Sequence, residues 1–234
     1  MLATRRLALV ARSLTTRTLG VPVPALGTSS KDAAGAKELY DTWADGYDSA
    51  LESWGYPAPR RAAEVLASSG VDRSARVLDV GCGTGMSGAA LSAHGIGIDG
   101  GVVGTDISQT SLDIAQGKGF YSSTVMANLE EPLPFDAASF HAAVSVGVLS
   151  YVENFDVLFK DLCRVLRPGG LFVATHRDNL WDEDFRGCQT AAAALVEAGA
   201  WTIESVGAPE PYMPYNPDPA ENSKRIRLLV FKRA

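Results

Sequence analysis

The stretch RVLDVGCGTGMSG, residues 76–88, places a short apolar run directly before three glycines at alternate positions. The apolar run predicts a buried strand and the residues after the glycines predict a helix, so the stretch reads as a strand–turn–helix unit. Glycine adopts left-handed backbone angles and has no side chain that would hold a ligand away. We therefore expect a ligand at this turn, approached closely by Gly81, Gly83 and Gly85.

The alternation of strands and helices continues along the chain. Further strands are predicted in GVVGTDI (101–107), FYSSTVMAN (120–128), SFHAAVSVG (139–147), LFVATH (171–176), WTIESVG (201–207) and RIRLLVFKR (225–233). Helices separate most of these strands, which predicts an α/β fold with a doubly wound, mainly parallel, seven-stranded sheet. No helix is predicted between the last two strands, so the final strand should be antiparallel.

Two helices are predicted ahead of the first strand, at 34–56 and 58–70, and they would form an N-terminal helical cap. The first 31 residues precede this cap and hold four arginines, one lysine and no acidic residue. An Arg-rich, Ser/Thr-rich and acid-free segment is typical of a transit peptide for a mitochondrion or plastid. The alternative is a disordered basic tail on a cytoplasmic protein. In both cases residues 1–32 lie outside the predicted domain, which spans 33–234.

The rest of the chain has 16 basic and 27 acidic residues, a formal charge of −11. This acidic balance argues against a general nucleic-acid-binding protein, because phosphate backbones attract basic surfaces. No apolar run reaches the length of about 18 residues that a membrane-spanning helix needs. Cys82, Cys163 and Cys188 form no CxxC pair, so neither a disulfide framework nor a metal site is expected.

The spacing of the glycines narrows the choice of ligand. Nicotinamide and flavin sites use G-x-G-x-x-G around a pyrophosphate, whereas this turn reads G-x-G-x-G and follows Asp79. A carboxylate at that point would repel a pyrophosphate and would suit an ammonium group. The missing Lys-Ser/Thr pair excludes a P-loop. The turn therefore suits a ligand with an amine and a carboxylate, which disfavours a nicotinamide oxidoreductase.

VLDVGCGTG (77–85) resembles the first motif of the class I S-adenosylmethionine-dependent methyltransferases, which have a Rossmann-like fold. Four later segments resemble the second to fifth motifs of that family in the same order along the chain: VVGTDIS (102–108), MANLEEPLPF (126–135), VSVGVLSYV (144–152) and RVLRPGGLFVATH (164–176). At the front of the chain, LYDTWADGYDSAL (39–51) and YPAPRRAAEVL (56–66) are similar to the Williams–Beuren-region methyltransferase-like proteins.

The resemblance implies S-adenosylmethionine as the cofactor. It implies that Asp106 binds the two ribose hydroxyls and that Ile107 packs on the adenine. It also places Tyr40, Trp43 and Tyr47 over the cofactor, although these aromatics could instead be only the packed face of an amphipathic helix. The residues expected to bind the cofactor are Tyr40, Tyr47, Asp79, Gly81, Cys82, Gly83, Gly85, Asp106, Ile107, Asn128, Leu129, Ser145 and Val146.

Two positions depart from the family pattern. Asn128 stands where the family usually has an acid for the adenine amine, and its amide oxygen can still accept that hydrogen bond. His141 stands where the family commonly has Asp in the fourth strand. A histidine inside a buried strand is more often structural than catalytic.

The sequence identifies no clear catalytic base. His176, at the end of the fifth predicted strand, and Tyr151 are the two candidates. Arg177 would either orient an acidic substrate or pair with Asp178. The Pro-rich segment 208–223 would either cover the acceptor site or serve as a mobile connection.

The expected function is transfer of a methyl group from S-adenosylmethionine to a small-molecule acceptor. A protein-side-chain methyltransferase and a cofactor-binding protein without turnover remain open as alternatives. The NPPY or DPPY signature of methylation on nucleic-acid bases is absent, and SVGV (145–148) stands in its place. Nucleic acid is therefore not an expected partner, and no membrane-spanning segment is expected. Residues 178–187 are a second possible lid over the acceptor.

Overall fold

The predicted strands and helices form one sheet with helices on both faces. The structure is a computed structural model that describes residues 46–234. The helices are α1 (46–53), α2 (Ala58–Ser68), α3 (Met86–Ala93), α4 (Gln109–Gly117), α5 (Phe155–Val165), α6 (Asp178–Asp182), α7 (Cys188–Glu197) and α8 (Pro219–Asn222). Within residues 46–234 no helix combines the length and apolar character needed to cross a membrane.

The strands are β1 (Val77–Val80), β2 (Val102–Asp106), β3 (Ser123–Met126), β4 (Phe140–Ser145), β5 (Leu166–Arg177), β6 (Trp201–Val206), β7 (Glu210–Pro211) and β8 (Arg225–Arg233). Single 3-10 turns lie at Leu149–Tyr151 and Phe185–Gly187. The predicted transit peptide, Tyr40 and Trp43 lie outside the described residues.

The sheet has the order β3-β2-β1-β4-β5-β8-β6, and β7 pairs with β8 beside this path. Strands β1 to β5 run parallel, with Leu78 of β1 opposite Val103 on one side and Ala143 on the other. Strand β8 is antiparallel to both β5 and β6. The doubly wound sheet and its antiparallel last strand are thus confirmed. The order of strands reverses between β1 and β4, and ligands bind at such a crevice in doubly wound sheets.

Side chains that alternate along the central strands fill two cores. One core packs beneath α2, α3 and α4 and includes Val77 and Val173. The other packs beneath α5 and α7 and includes Leu78 and Ala174. Because successive residues of a strand face opposite sides, this alternation also decides which side each residue at a strand end faces.

Two segments differ from the prediction. Helix α5 ends at Val165, ahead of the predicted end at Pro168 and its glycines, because a proline disfavours helical angles at the residue before it. The segment 208–223, predicted to be a loop, contains β7 and α8. The Oδ1 atom of Asp218 caps α8 by accepting the N–H of Ala220 at 2.8 Å. The sheet therefore has eight strands, one more than predicted.

Candidate active site

A cavity opens at the reversal point between β1 and β4, where the sequence predicts the ligand. It encloses about 930 Å³ of free space, counted together with its open mouth. The described residues that line it are Tyr47, Tyr56, Pro59, Gly81, Cys82, Gly83, Thr84, Met86, Ser87, Asp106, Ile107, Ala127, Asn128, Leu129, Glu130, Val146, Gly147, Val148, Tyr151 and Val152.

The glycine turn forms one wall of this cavity. At Gly81, with φ +72°, a Cβ atom would collide with the side chain of Val148, so β1 and the segment after β4 approach closely there. At Gly83, with φ +52°, a Cβ atom would meet nothing within 4 Å. The backbone of Gly83 is thus left-handed and open to the cavity, as a residue that approaches a ligand requires.

Asp106 lies directly beside the glycine turn, at the end of β2. Its Oδ2 accepts the N–H of Gly83 at 2.8 Å, and its Oδ1 accepts the N–H of Ser108 at 3.0 Å. These bonds fix the carboxylate between the glycine turn and the start of α4. The position agrees with the predicted contact to ribose hydroxyls, which stays a prediction.

Asp79 does not line the cavity, in contrast to its predicted place beside an ammonium group. Its side chain is fully buried, and its Oδ2 accepts the hydroxyl of Tyr121 at 2.7 Å. Burial raises the pKa of this carboxyl to about 7; the Tyr121 hydrogen bond lowers it and the nearby Asp106 charge raises it. Asp79 therefore stabilises the glycine turn from inside the core, and its side chain does not line the cavity.

Tyr121 is a positioning residue that the sequence analysis missed. Its hydroxyl accepts the N–H of Gly88 at 3.0 Å in addition to donating to Asp79. Its ring fills the space over Gly88 and Gly104, where an added Cβ would lie within 3.0 Å of it. It also packs against Gly85, which explains that glycine without a ligand, because Gly85 does not line the cavity. The sequence signal for this role is the set of glycines at 85, 88 and 104, which leave room for the ring of Tyr121 and are not explained by a ligand alone.

The ends of β2 and β3 build one half of the cavity. Ile107 and Leu129 supply apolar walls, as expected for residues that hold an adenine ring. The Oδ1 atom of Asn128 accepts the N–H of Glu130 at 3.1 Å, which leaves its second lone pair as a hydrogen-bond acceptor. Cys82 also lines the cavity, and burial raises the pKa of its thiol.

The end of β4 builds the other half. Val146 and Gly147 line the cavity, whereas Ser145 does not, because its hydroxyl donates to the carbonyl of Val80 at 2.9 Å. The N–H of Gly147 donates to Oγ1 of Thr175 at 2.9 Å. The hydroxyl of Tyr56 lies 2.9 Å from the place where a Cβ of Gly147 would be. Tyr56 is a second wall residue that the sequence analysis missed.

Helix α1 covers the glycine turn from the front. Tyr47 lines the cavity, as predicted, and its neighbour Asp48 fixes the helix. The hydroxyl of Thr84, in the turn, donates to Oδ1 of Asp48 at 2.5 Å, and Lys118 at the end of α4 forms an ion pair with Oδ2. Asp48 thus ties α1 to both sides of the cavity.

The two candidates for a base are separated by the fold. Tyr151 lines the cavity. His176 does not, because it is 2% exposed and faces Phe155, with ring centroids 6.1 Å apart. Neither of its nitrogens has a hydrogen-bond partner, and burial followed by the charge of Arg177 lowers its pKa to about 4. His176 is therefore wrong as a candidate base.

His141, the other departure from the family pattern, has a structural contact. Its Nδ1 accepts the N–H of Arg76 at 3.1 Å, at the far edge of the sheet from the cavity. Burial lowers its pKa. Residues 178–187 are not a lid either, because they do not line the cavity and Trp181 is buried in the core beneath α5 and α7.

The segment 208–223 packs beside the cavity without lining it. Met213 is buried against Leu51 and Trp54, at the end of α1. Tyr212 meets the ring of Tyr56 edge-on, with centroids 5.3 Å apart. The segment is thus held against α1 and buttresses the wall that Tyr56 forms.

Comparisons with known proteins agree with this geometry. Residues 78–174 match the family described as "Methyltransferase domain". The chain is 35% identical to human methyltransferase-like protein 27 over 178 residues, which cover 73% of this chain and 69% of that protein. It is 31% identical to the 18S rRNA (guanine(1575)-N(7))-methyltransferase of Saccharomyces cerevisiae over 109 residues, 42% of this chain and 38% of that protein.

Among solved structures, an S-adenosylmethionine-dependent methyltransferase from Mesorhizobium loti superposes with a TM-score of 0.54 and 22% identity. The match covers 74% of this chain and 98% of that one, and it supports the fold. The glycine turn, the Asp106 carboxylate and the relatives lead to one conclusion: the chain belongs to the class I S-adenosylmethionine-dependent methyltransferases, in the family of methyltransferase-like protein 27.

Proposed function

We propose that this methyltransferase acts on a small molecule that enters the tyrosine-lined half of the cavity. The observation that carries the proposal is the nature of the walls. Among the described lining residues there is no Lys, Arg or His, whereas Tyr47, Tyr56 and Tyr151 supply aromatic surface. A nucleic-acid acceptor would need basic residues against its phosphates, and an enclosed aromatic pocket suits a compact molecule.

The residues present fit the cofactor. Asp106 would hold the ribose, Ile107 and Leu129 the adenine, and the open backbone at Gly83 leaves room for the amino-acid portion. When bound, S-adenosylmethionine supplies a methyl group already activated on a sulfonium. The protein then has to align the acceptor, exclude water and, for a protonated acceptor, receive a proton.

The side chains around the acceptor half can perform these tasks. Tyr56 lies over Gly147 and Val148 lies over Gly81, so both side chains narrow this half of the cavity and would limit the access of water to it. Tyr151 is the candidate that the fold brings to the cavity, and it would hold or pass on a proton through its phenol oxygen. Glu130, which the sequence analysis did not single out, is a further titratable group on the wall.

The test is a labelling experiment with the full chain. Purified protein and S-adenosylmethionine carrying a labelled methyl group are incubated with a cell extract, which is then separated into small-molecule, protein and RNA fractions. We expect label in the small-molecule fraction, and much less label there with Asp106→Ala. Label confined to RNA, the substrate class named for the yeast relative, or confined to protein would contradict the proposal.

A further inference from the structure

Arg177 and His176 end the same strand but face opposite sides of the sheet. Thr175 faces the cavity side, because its Oγ1 accepts the N–H of Gly147. Alternation along β5 therefore puts Arg177, two residues on, on the side of Thr175, and puts His176 on the side of Phe155. Arg177 is thus on the same face of the sheet as Thr175, whereas His176, the predicted base, is on the opposite face.

Among the described residues, none is a counter-ion for the guanidinium of Arg177. The residue is half-buried, and its Nε atom is buried without a hydrogen-bond partner. Asp178 does not pair with it; its Oδ1 accepts the N–H of Asn179 at 2.8 Å. No ion pair between residues 46 and 234 includes Arg177. A half-buried cation without a partner is unfavourable, so an anion from outside residues 46–234 would be stabilised there.

Tyr212 connects this cation to the cavity wall. Burial raises the pKa of its phenol well above the usual range; Tyr47, Tyr151 and Glu221 raise it further, and the positive charge of Arg177 lowers it. All four groups are therefore close enough to Tyr212 to act on it. Tyr212 also contacts the ring of Tyr56 edge-on, and Tyr56 lines the cavity. Tyr212 therefore lies between Arg177 and a residue of the cavity wall.

Glu221 also acts on Tyr212, and it does not neutralise Arg177. It is 4% exposed and forms an ion pair with Lys224, the two residues lying three positions apart. That pair is neutral as a whole. Of the two charged groups that act on Tyr212, Arg177 is thus the one without an ion pair among residues 46–234.

The wall beside Arg177 is rigidly held. The guanidinium of Arg61 in α2 binds both carboxylate oxygens of Glu210 in β7, at 2.9 and 2.7 Å. This bidentate pair joins α2 to the strand that directly precedes Tyr212. The tyrosine wall is therefore positioned before any acceptor binds, which reduces the entropy lost on binding.

We propose an acceptor subsite at this end of the cavity: Arg177 is not one of the lining residues, but the acceptor reaches past them to it, and Arg177 binds a carboxylate of the methyl acceptor, whose apolar or aromatic frame lies between the tyrosines. The proposal rests on the proposed function, since it assigns a chemical class to that acceptor. A guanidinium matches a carboxylate through two parallel hydrogen bonds. A single cation balances one negative charge, whereas a phosphate group carries a charge of about −1.5 to −2 at neutral pH. The carboxylate is an anchor, and the methylated atom lies elsewhere on the acceptor.

The test compares an anion with its uncharged isostere. The full chain is saturated with S-adenosylhomocysteine and titrated calorimetrically with benzoate and phenylacetate and then with benzamide and phenylacetamide. We expect each carboxylate to bind at least tenfold more tightly than its amide. The preference should be lost in Arg177→Gln and partly restored in Arg177→Lys. Arg227→Gln is the control, because Arg227 lies at the same sheet edge, opposite His176, and is already paired with Asp182.

Two outcomes would overturn the proposal: equal or undetectable binding of carboxylates and amides by the native chain, or an unchanged preference in Arg177→Gln. Binding of S-adenosylhomocysteine is measured first in every variant. Its absence in the native chain would count against the proposed function, whereas its retention together with loss of the carboxylate preference in Arg177→Gln supports the subsite specifically.

Discussion

Asp106 is held between the glycine turn and α4 by two backbone N–H groups, and its carboxylate borders the cavity. Asp106→Ala removes these hydrogen bonds and the predicted ribose contacts. Charge-assisted hydrogen bonds contribute about 1–3 kcal/mol, so the affinity for S-adenosylhomocysteine should fall about 5- to 150-fold. Calorimetry measures this, with Asp113→Ala as a control, because Asp113 lies on α4 and binds only Gln109 among the described contacts. An unchanged affinity in Asp106→Ala would place the cofactor elsewhere.

Gly83 and Gly70 test whether the glycine turn serves the ligand or only the backbone. Both have positive φ, +52° and +85°, and a Cβ atom at either meets nothing within 4 Å. Alanine at both positions should therefore carry a similar backbone strain of about 1–2 kcal/mol. Only Gly83→Ala should also lose affinity for S-adenosylhomocysteine, because its methyl group would enter the cavity. Equal affinities of the two variants would mean that the turn is merely structural.

His176 gives a prediction about pH. Because its folded pKa is about 4 and the ordinary value is 6.5, the unfolded chain binds a proton in this window that the folded chain does not. Stability is thus lost as the pH falls from about 6.5 to 4, by up to about 3 kcal/mol. Asp79 acts in the opposite direction, since its raised pKa costs stability as the pH rises toward 7.

The measurement is therefore the difference between native chain and His176→Gln, by denaturant unfolding at pH 4 to 7. Asp79 cancels in this difference. The stability of the native chain relative to the variant should decrease as the pH falls. A difference that does not vary with pH would show that His176 is not buried as a neutral group.

At the scale of the elements, helix α1 is held in place by contacts with residues that are distant from it in sequence. Asp48 joins it to Thr84 and Lys118. Asp48→Ala removes both contacts, and half-exposed interactions of this kind contribute about 0.5–1.5 kcal/mol. S-adenosylhomocysteine should then dissociate about 2- to 10-fold faster, measured by stopped-flow chase. Asp99→Ala, which breaks the exposed pair with Arg73, should leave the rate unchanged; equal effects of the two variants would refute a covering role for α1.

The strand elements were predictable, and the contacts between elements were not. Short apolar runs identify β1, β2, β4, β5 and β8, because a buried strand needs apolar residues on both faces. The strands β3 and β6 lie at the ends of the strand order and are largely exposed, and they are identified by the alternation of helices and strands. Strand β7 was not predicted, because two residues show no periodicity and the strand is defined only by its pairing with β8. The role of Tyr121 was not predicted either, because it depends on a contact with Asp79, which lies 42 residues away in sequence.

For the whole molecule, the clearest expectation concerns ligand-induced stability. A ligand that binds only the folded state at 100 times its dissociation constant adds about 2.7 kcal/mol. For a domain of this size, that corresponds to a rise in Tm of about 5–10 °C. S-adenosylmethionine and S-adenosylhomocysteine should both produce this rise in a thermal-shift experiment, and NAD should produce none. A shift with NAD alone would contradict the interpretation of the glycine spacing.

The sequence by itself determined the fold class, the position of the cofactor turn and most of the cavity residues expected around it, including Gly81, Gly83, Asp106 and Ile107. The glycine turn follows from local spacing, because glycines and strand ends bring the backbone to the same edge of any parallel sheet. Asp106 and Ile107 were implied by the resemblance to the methyltransferase family. The tertiary structure decided the direction of individual side chains. One step along β5 separates His176 in the core from Arg177 beside the tyrosines, and only the register of β5 against its neighbours fixes which residue faces the site.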